Sequence, residues 1–172
     1  MKRWLAWLIL LIPLAAAAEV RDPEKHFFDS NLGDFQEELA VAREQGKQGV
    51  MLFFESDECP FCARMKATVL NQSEVQDFYR KHFLVFPVDV LGDVPMTDFK
   101  GKETVEKAFA LQQRVRATPV TMFFDLDGNP VARHTGPTKD KDDFLLLGRY
   151  VVEGAYRQMP YERYKKVQAG KK

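Results

Sequence analysis

From residue 34 onward, apolar positions alternate between helical stripes and short unbroken runs. Over residues 34–45, Phe35, Leu39 and Ala42 share one face, Asp34 and Glu37 are spaced as a capping box and Gly46 is a stop, which predicts a helix. Residues 50–54 are continuously apolar and too few for a helix, which predicts a strand buried on both faces. Pro60 suits the first turn of a helix that carries Met65 and Val69 to about residue 70. Ser73 and Gln76 are spaced as a second capping box, opening a short helix with Val75, Phe78 and Tyr79 inward, and residues 83–90 read as the next strand. Residues 91–103 hold two glycines and one proline without a period and read as an irregular insertion.

Thr104 is placed to cap a helix running to about residue 114, with Val105, Ala108 and Phe109 on its apolar side. Residues 120–125 and 131–135 predict two strands joined at Asp127-Gly128 as a hairpin. From residue 138, Phe144, Leu147, Val151 and Ala155 recur at helical spacing and predict one long helix, with Tyr156, Tyr161 and Tyr164 in or just after it as packing residues. Residues 21–31 read as an extended lead-in. The order of elements predicts an α/β fold: strand–helix–strand units favour parallel pairing, the terminal hairpin adds an antiparallel edge, and the result is a mixed central sheet with helices on both faces.

The first eighteen residues lie outside that pattern. A positive start at Lys2-Arg3, an apolar stretch over 4–14 and a small-residue run over 15–18 read as a secretory signal peptide, with an uncleaved anchor as the alternative. Cleavage after Ala18 leaves a single domain over 19–172 and places it in an oxidising space such as the periplasm. Across the 172 residues, 25 Lys and Arg balance 25 Asp and Glu, so no basic field supports binding to nucleic acid. The expected partner is a protein or a small molecule.

Export changes the reading of the only two cysteines, in Cys59-Pro60-Phe61-Cys62. They follow a buried strand and open a helix, three residues apart on one face, a spacing that permits a disulfide. Cys59 sits where unpaired backbone N–H groups and the helix dipole stabilise a thiolate, so it is the attacking sulfur; Cys62, one turn deeper, can resolve a mixed disulfide. Asp57 and Glu58 oppose ionisation of Cys59. Half a zinc site and a static disulfide are the competing readings. No second cysteine pair exists and His26, His82 and His134 are scattered as surface residues, so no metal is expected, and a three-residue loop at a helix start gives a static bridge little stabilising power.

The cysteine motif after the strand over 50–54, Thr118-Pro119 before the strand over 120–125, and Asp127-Gly128 with Gly136 beyond the hairpin together resemble the thioredoxin superfamily. The resemblance implies the thioredoxin fold, a cis bond before Pro119, and Thr118 offering backbone hydrogen bonds to an extended substrate beside the cysteine pair. It also implies that the Cys59–Cys62 disulfide is the redox carrier, with no other cofactor. The 91–103 insertion and the tyrosine-bearing C-terminal extension resemble exported proteins of the sulfur-oxidation-associated SoxW type. Such relatives keep periplasmic partner thiols reduced, with electrons from a DsbD- or CcdA-like membrane transporter.

Two departures stand out. The family buries an Asp six residues before the first cysteine, where this chain has Phe53, and Pro87 replaces the accompanying Lys. Glu55 is then the candidate proton relay, acting through a water. Pro60 and Phe61 donate neither a hydrogen bond nor a charge to the Cys59 thiolate, so a poise less oxidising than that of His-bearing relatives is expected. Phe61 either contacts an apolar client segment or packs on its own helix. The leading reading is a periplasmic reductant of partner-protein disulfides through Cys59 and Cys62. A disulfide oxidase or isomerase, and a non-catalytic thioredoxin-like binding module, are the alternatives.

Overall fold

The computed structural model describes residues 19–30 and 33–170, so the expected signal peptide over 1–18 lies outside the described residues. The central strand is β1 (Gly49–Glu55), buried up to its last residue. Its side chains alternate between two cores: Val50, Leu52 and Phe54 enter one, Met51 and Phe53 the other. That double burial explains why the run reads as continuously apolar.

β2 (Phe83–Asp89) runs parallel to β1, and the antiparallel pairs are β1 with β5 (Val120–Asp125) and β5 with β6 (Pro130–Thr135). The spatial order is β2-β1-β5-β6, a mixed sheet. On one face α2 (Phe35–Glu44) and α5 (Glu106–Gln112) bring Phe35, Leu39 and Phe109 against β1. The other face carries α3 (Pro60–Met65), α4 (Ser73–His82) and α6 (Lys141–Val152). There Tyr79 stacks on Phe144 with ring centroids 4.4 Å apart, and its hydroxyl donates to the Phe144 carbonyl at 2.6 Å. The architecture is the predicted α/β sheet with helices on both faces.

Several local expectations change. The lead-in contains a helical turn, α1 (Pro23–His26), because the Asp22 side chain accepts from the Glu24 N–H and Pro23 occupies the first helical position; Asn31 lies outside the described residues. Asp34 caps α2 through the N–H groups of Gln36 and Glu37, as its spacing predicts. The Ser73 and Gln76 box does not form. Gln72 is the cap residue, and the buried Gln76 amide donates to the carbonyls of Leu70 and Arg21, tying the N-terminal segment to the domain. The helix over 60–70 is α only to Met65 and continues as a π turn over Lys66–Leu70.

The segment over 91–103 is not irregular throughout. β3 (Pro95–Thr97) pairs antiparallel with β4 (Glu103–Val105), and the Asp98 carboxylate organises the turn by accepting from the N–H groups of Lys100 and Lys102. Strands of three residues are too short to show a period. Thr104 lies in β4, so Val105 precedes α5 instead. The long helix also ends early, at Val152: Gly154 is left-handed with φ 67°, a 3-10 turn follows at Ala155–Arg157, and Pro160 precedes α7 (Tyr161–Ala169). Tyr161 and Tyr164 are buried against Tyr150 at 5.4 Å, which makes them packing residues of the C-terminal extension.

Candidate active site

The parallel strands β1 and β2 end together, with Glu55 opposite Asp89. Beyond Glu55 the chain turns, the Cys59 N–H donating to the Ser56 carbonyl at 3.0 Å, and α3 begins at Pro60. Proline fits there because its missing N–H has no partner in a first turn. Cys59 has extended backbone angles and caps α3 with its sulfur, which accepts the Cys62 N–H at 3.1 Å. That contact holds partial positive charge against Sγ, the arrangement that favours a thiolate. The two sulfurs are joined as a disulfide, with Cα atoms 5.2 Å apart. Cys59 is 7% exposed and Cys62 2%, so Cys59 is the sulfur nearer solvent.

Around the pair, Pro60 is exposed and Phe61 is 50% exposed, with the Arg64 guanidinium 5.6 Å from its ring centroid. The Phe61 ring thus contacts Arg64 of its own helix and leaves half of its surface open to solvent. β5 starts with Val120 paired to Phe54, which puts Thr118 and the buried Pro119 beside the end of β1. The Thr118–Pro119 bond is cis, and the Pro119 carbonyl accepts from the Gly136 N–H at 2.9 Å. The cysteine turn and the Thr118-Pro119 corner thus lie at the same end of the two central strands.

Phe53 packs in the core cluster that includes both cysteines, and the β1–β2 register sets it opposite Pro87. Two residues on, Glu55 points to the same face. Its carboxylate accepts a 2.7 Å hydrogen bond from Lys66 Nζ, and Lys66 makes an equal contact with Glu24. The Lys66 N–H donates to the Cys62 carbonyl, placing the ammonium one helical turn beyond the resolving sulfur. Burial pushes the Glu55 carboxyl above its ordinary value despite Lys66. Burial also opposes the charge on Lys66, but hydrogen bonds to Glu24 and Glu55 outweigh it and keep the amine cationic.

Lys66 and Glu24 escaped the sequence reading. Lys66 lies four residues after Cys62, a spacing that places it on the same helical face, and this was the available signal. Glu24 belongs to a helical turn whose contact with α3 has no local signature. Of the three histidines, His26 is exposed, whereas His134 is half-buried and edge-on to Tyr161 at 5.9 Å, so it is not a surface residue; burial lowers its pKa.

The chain is similar over most of its length to a thioredoxin-fold protein from Helicobacter pylori (18% identity, 87% of this chain and 96% of that one, TM-score 0.66). It is also similar to a thioredoxin from Thermus thermophilus (27% identity, 78% and 88% covered, TM-score 0.54) and to the reduced C-terminal domain of Neisseria meningitidis DsbD (23%, 64% and 87%, TM-score 0.50). No curated protein sequence matches it. The mixed sheet with helices on both faces is therefore the thioredoxin fold. The thioredoxin-like domain model matches residues 35–151, more than half of the sequence and the span that builds β1, the cysteine turn, the Thr118-Pro119 corner and the closing hairpin, so the chain belongs to the thioredoxin-like domain family.

Proposed function

We propose that this protein is an exported thiol–disulfide oxidoreductase that reduces disulfides of partner proteins in the periplasm. The observation that carries the reading is the placement of Cys59: the more accessible sulfur of a Cys-x-x-Cys pair, capping a helix and holding the Cys62 N–H. In the reduced protein the Cys59 thiolate attacks one sulfur of a client disulfide, forming a mixed disulfide and releasing a client thiolate. Cys62 then gives its proton to Glu55 through a water, and its thiolate attacks Sγ of Cys59. The Cys59–Cys62 disulfide closes and the second client thiolate leaves and takes up a proton. Two electrons pass to the client. No cofactor beyond the cysteine pair takes part, and a dithiol of a DsbD- or CcdA-like transporter restores it.

Support for the reducing direction is electrostatic. Pro60 and Phe61 give the thiolate no donor, and Asp57 and Glu58 stand exposed directly before it. A less stabilised thiolate makes the reduced pair a better electron donor. Equilibration with dithiol redox buffers is expected to give a potential near that of thioredoxin, about −270 mV; a value near about −120 mV would make the protein an oxidase. A SoxW-type client set rests on the segment around β3 and β4 and on the extension through α7, and trapping of clients in the periplasm tests it.

Glu55 has its own test. With its pKa raised, its carboxylate form, the proton acceptor, increases as pH climbs through that raised value. Closure of the mixed disulfide should therefore accelerate over the same interval. Glu55→Gln is expected to slow closure about tenfold or more and to remove that inflection. An unaltered rate at every pH would take Glu55 out of the mechanism.

A further inference from the structure

Beside the cysteine turn lies a pinned loop with two large apolar side chains in solvent. Leu91 is 66% and Val94 61% exposed. The loop is held at both ends: the Val90 N–H donates to the Glu55 carbonyl at 2.9 Å, Lys107 N–H to Gly92 O at 2.9 Å, and Glu106 N–H to Val94 O at 3.2 Å. The Glu106 carboxylate also accepts the Asp89 N–H and packs so closely that a Cβ at Gly92 would collide with it. Exposure of Leu91 and Val94 is thus built into an ordered segment, and it contributes nothing to the core.

Position gives this loop a partner. Because β1 and β2 are parallel and Glu55 faces Asp89, the turn over 56–59 and the loop over 90–94 leave the sheet side by side, with the Thr118-Pro119 corner on the other flank. Neighbouring strands lie about 4.8 Å apart, so the three segments span roughly 10 Å, the reach of about three extended residues. The charge here is negative. Asp57 and Glu58 make no ion pair among the described residues, and the Asp89 carboxylate there accepts from the N–H of Leu91 and meets no cation. The nearby lysines are already taken, Lys66 by Glu24 and Glu55 and Lys107 by Asp93, while Arg64 lies over Phe61 and Arg116 stands on the opposite flank before Thr118.

We propose that Leu91 and Val94, behind the acidic fence of Asp57, Glu58 and Asp89, form a docking wall for extended client segments with an apolar and a basic residue within about three positions of the reacting cysteine. The proposal rests on Cys59 attacking client disulfides. An apolar client side chain covers Leu91 and Val94, and a neighbouring Lys or Arg meets carboxylates that lack a cation. Attack and closure proceed as above, so only the approach of the client is selected.

The test compares two disulfide-bridged peptides that differ only beside one cysteine, Lys-Leu in one and Glu-Ser in the other. Bis(2-hydroxyethyl) disulfide serves as a neutral substrate too small to reach the wall. The native protein is expected to reduce the Lys-Leu peptide with a kcat/KM at least about tenfold higher, by a margin that narrows as salt screens the charges. Leu91→Ser with Val94→Ser should reduce that margin and leave the small disulfide unaffected. Equal rates for the two peptides, or a margin untouched by the double substitution, while the small disulfide is still reduced, overturn the docking wall alone. If the native protein reduces none of the three, the oxidoreductase reading falls and the wall with it. Should the double variant lose activity on the small disulfide, the peptide pair and its salt dependence on the native protein decide.

Discussion

Cys59→Ala is expected to lower reduction of insulin disulfides by at least about a thousandfold, to the background of the dithiol in the assay, because the thiol that remains, Cys62, is almost fully buried and lacks the helix-capping position. Cys62→Ser should behave differently. The attacking sulfur remains, and its partner for closure is gone, so mixed disulfides through Cys59 accumulate instead of turning over. The difference in burial supports this asymmetry: Cys62 is the less exposed of the two cysteines in the same core cluster. Non-reducing electrophoresis with mass spectrometry measures it. Retention of insulin reduction by Cys59→Ala, or absence of trapped adducts with Cys62→Ser, would contradict the assignment of the two roles.

Phe53→Asp, which returns the family's acid to its usual place, should cost this protein a large part of its stability. Phe53 is fully buried, its ring centroid lies 6.1 Å from that of Phe28, and its strand neighbour is Pro87, which offers no charge. Removing a buried Phe side chain costs roughly 3–5 kcal/mol, and the new carboxyl must be desolvated as well, against a total of about 5–15 kcal/mol for a domain. Urea unfolding reads the loss. It should deepen with pH, since a buried carboxyl has a raised pKa in the folded state and favours folding only while it stays protonated. A midpoint close to the native one would show that this core accepts an acid at 53.

These two results bear on one design. Glu55 lies two residues along β1 from Phe53 and on the same face of the strand; as the proton relay proposed above, it would stand in for the acid the family buries beside the resolving cysteine. Glu55 is paired with Lys66, from the π turn after α3, which also holds the carboxylate of Glu24 from α1. In the core cluster that holds the cysteines, Phe53 packs on Phe28, and the Phe28 ring lies 5.5 Å from the Lys66 ammonium.

The elements nearest the cysteines were legible from the sequence because their signals are local. Continuous apolar residues fix the doubly buried β1, Pro60 marks the start of α3, Asp34 with two N–H groups caps α2, and Asp127-Gly128 turns the β5–β6 hairpin. Each signal rests on period, cap or turn chemistry within a few residues. Contacts between distant segments have no such mark. Pairing of β1 with β5, the meeting of Glu24 with Lys66 across 42 positions, and the seating of Tyr161 and Tyr164 against Tyr150 depend on which buried faces fit. The Ser73 and Gln76 spacing illustrates the limit: a favourable local cap lost to Gln76 satisfying two carbonyls, one of them the distant Arg21, inside the fold. Sequence alone therefore determined the cysteine pair, its helix and the candidate acid at 55, while packing decided the cation, the second carboxylate and the loop that surround them, since burial and hydrogen-bond satisfaction are set by the whole chain at once.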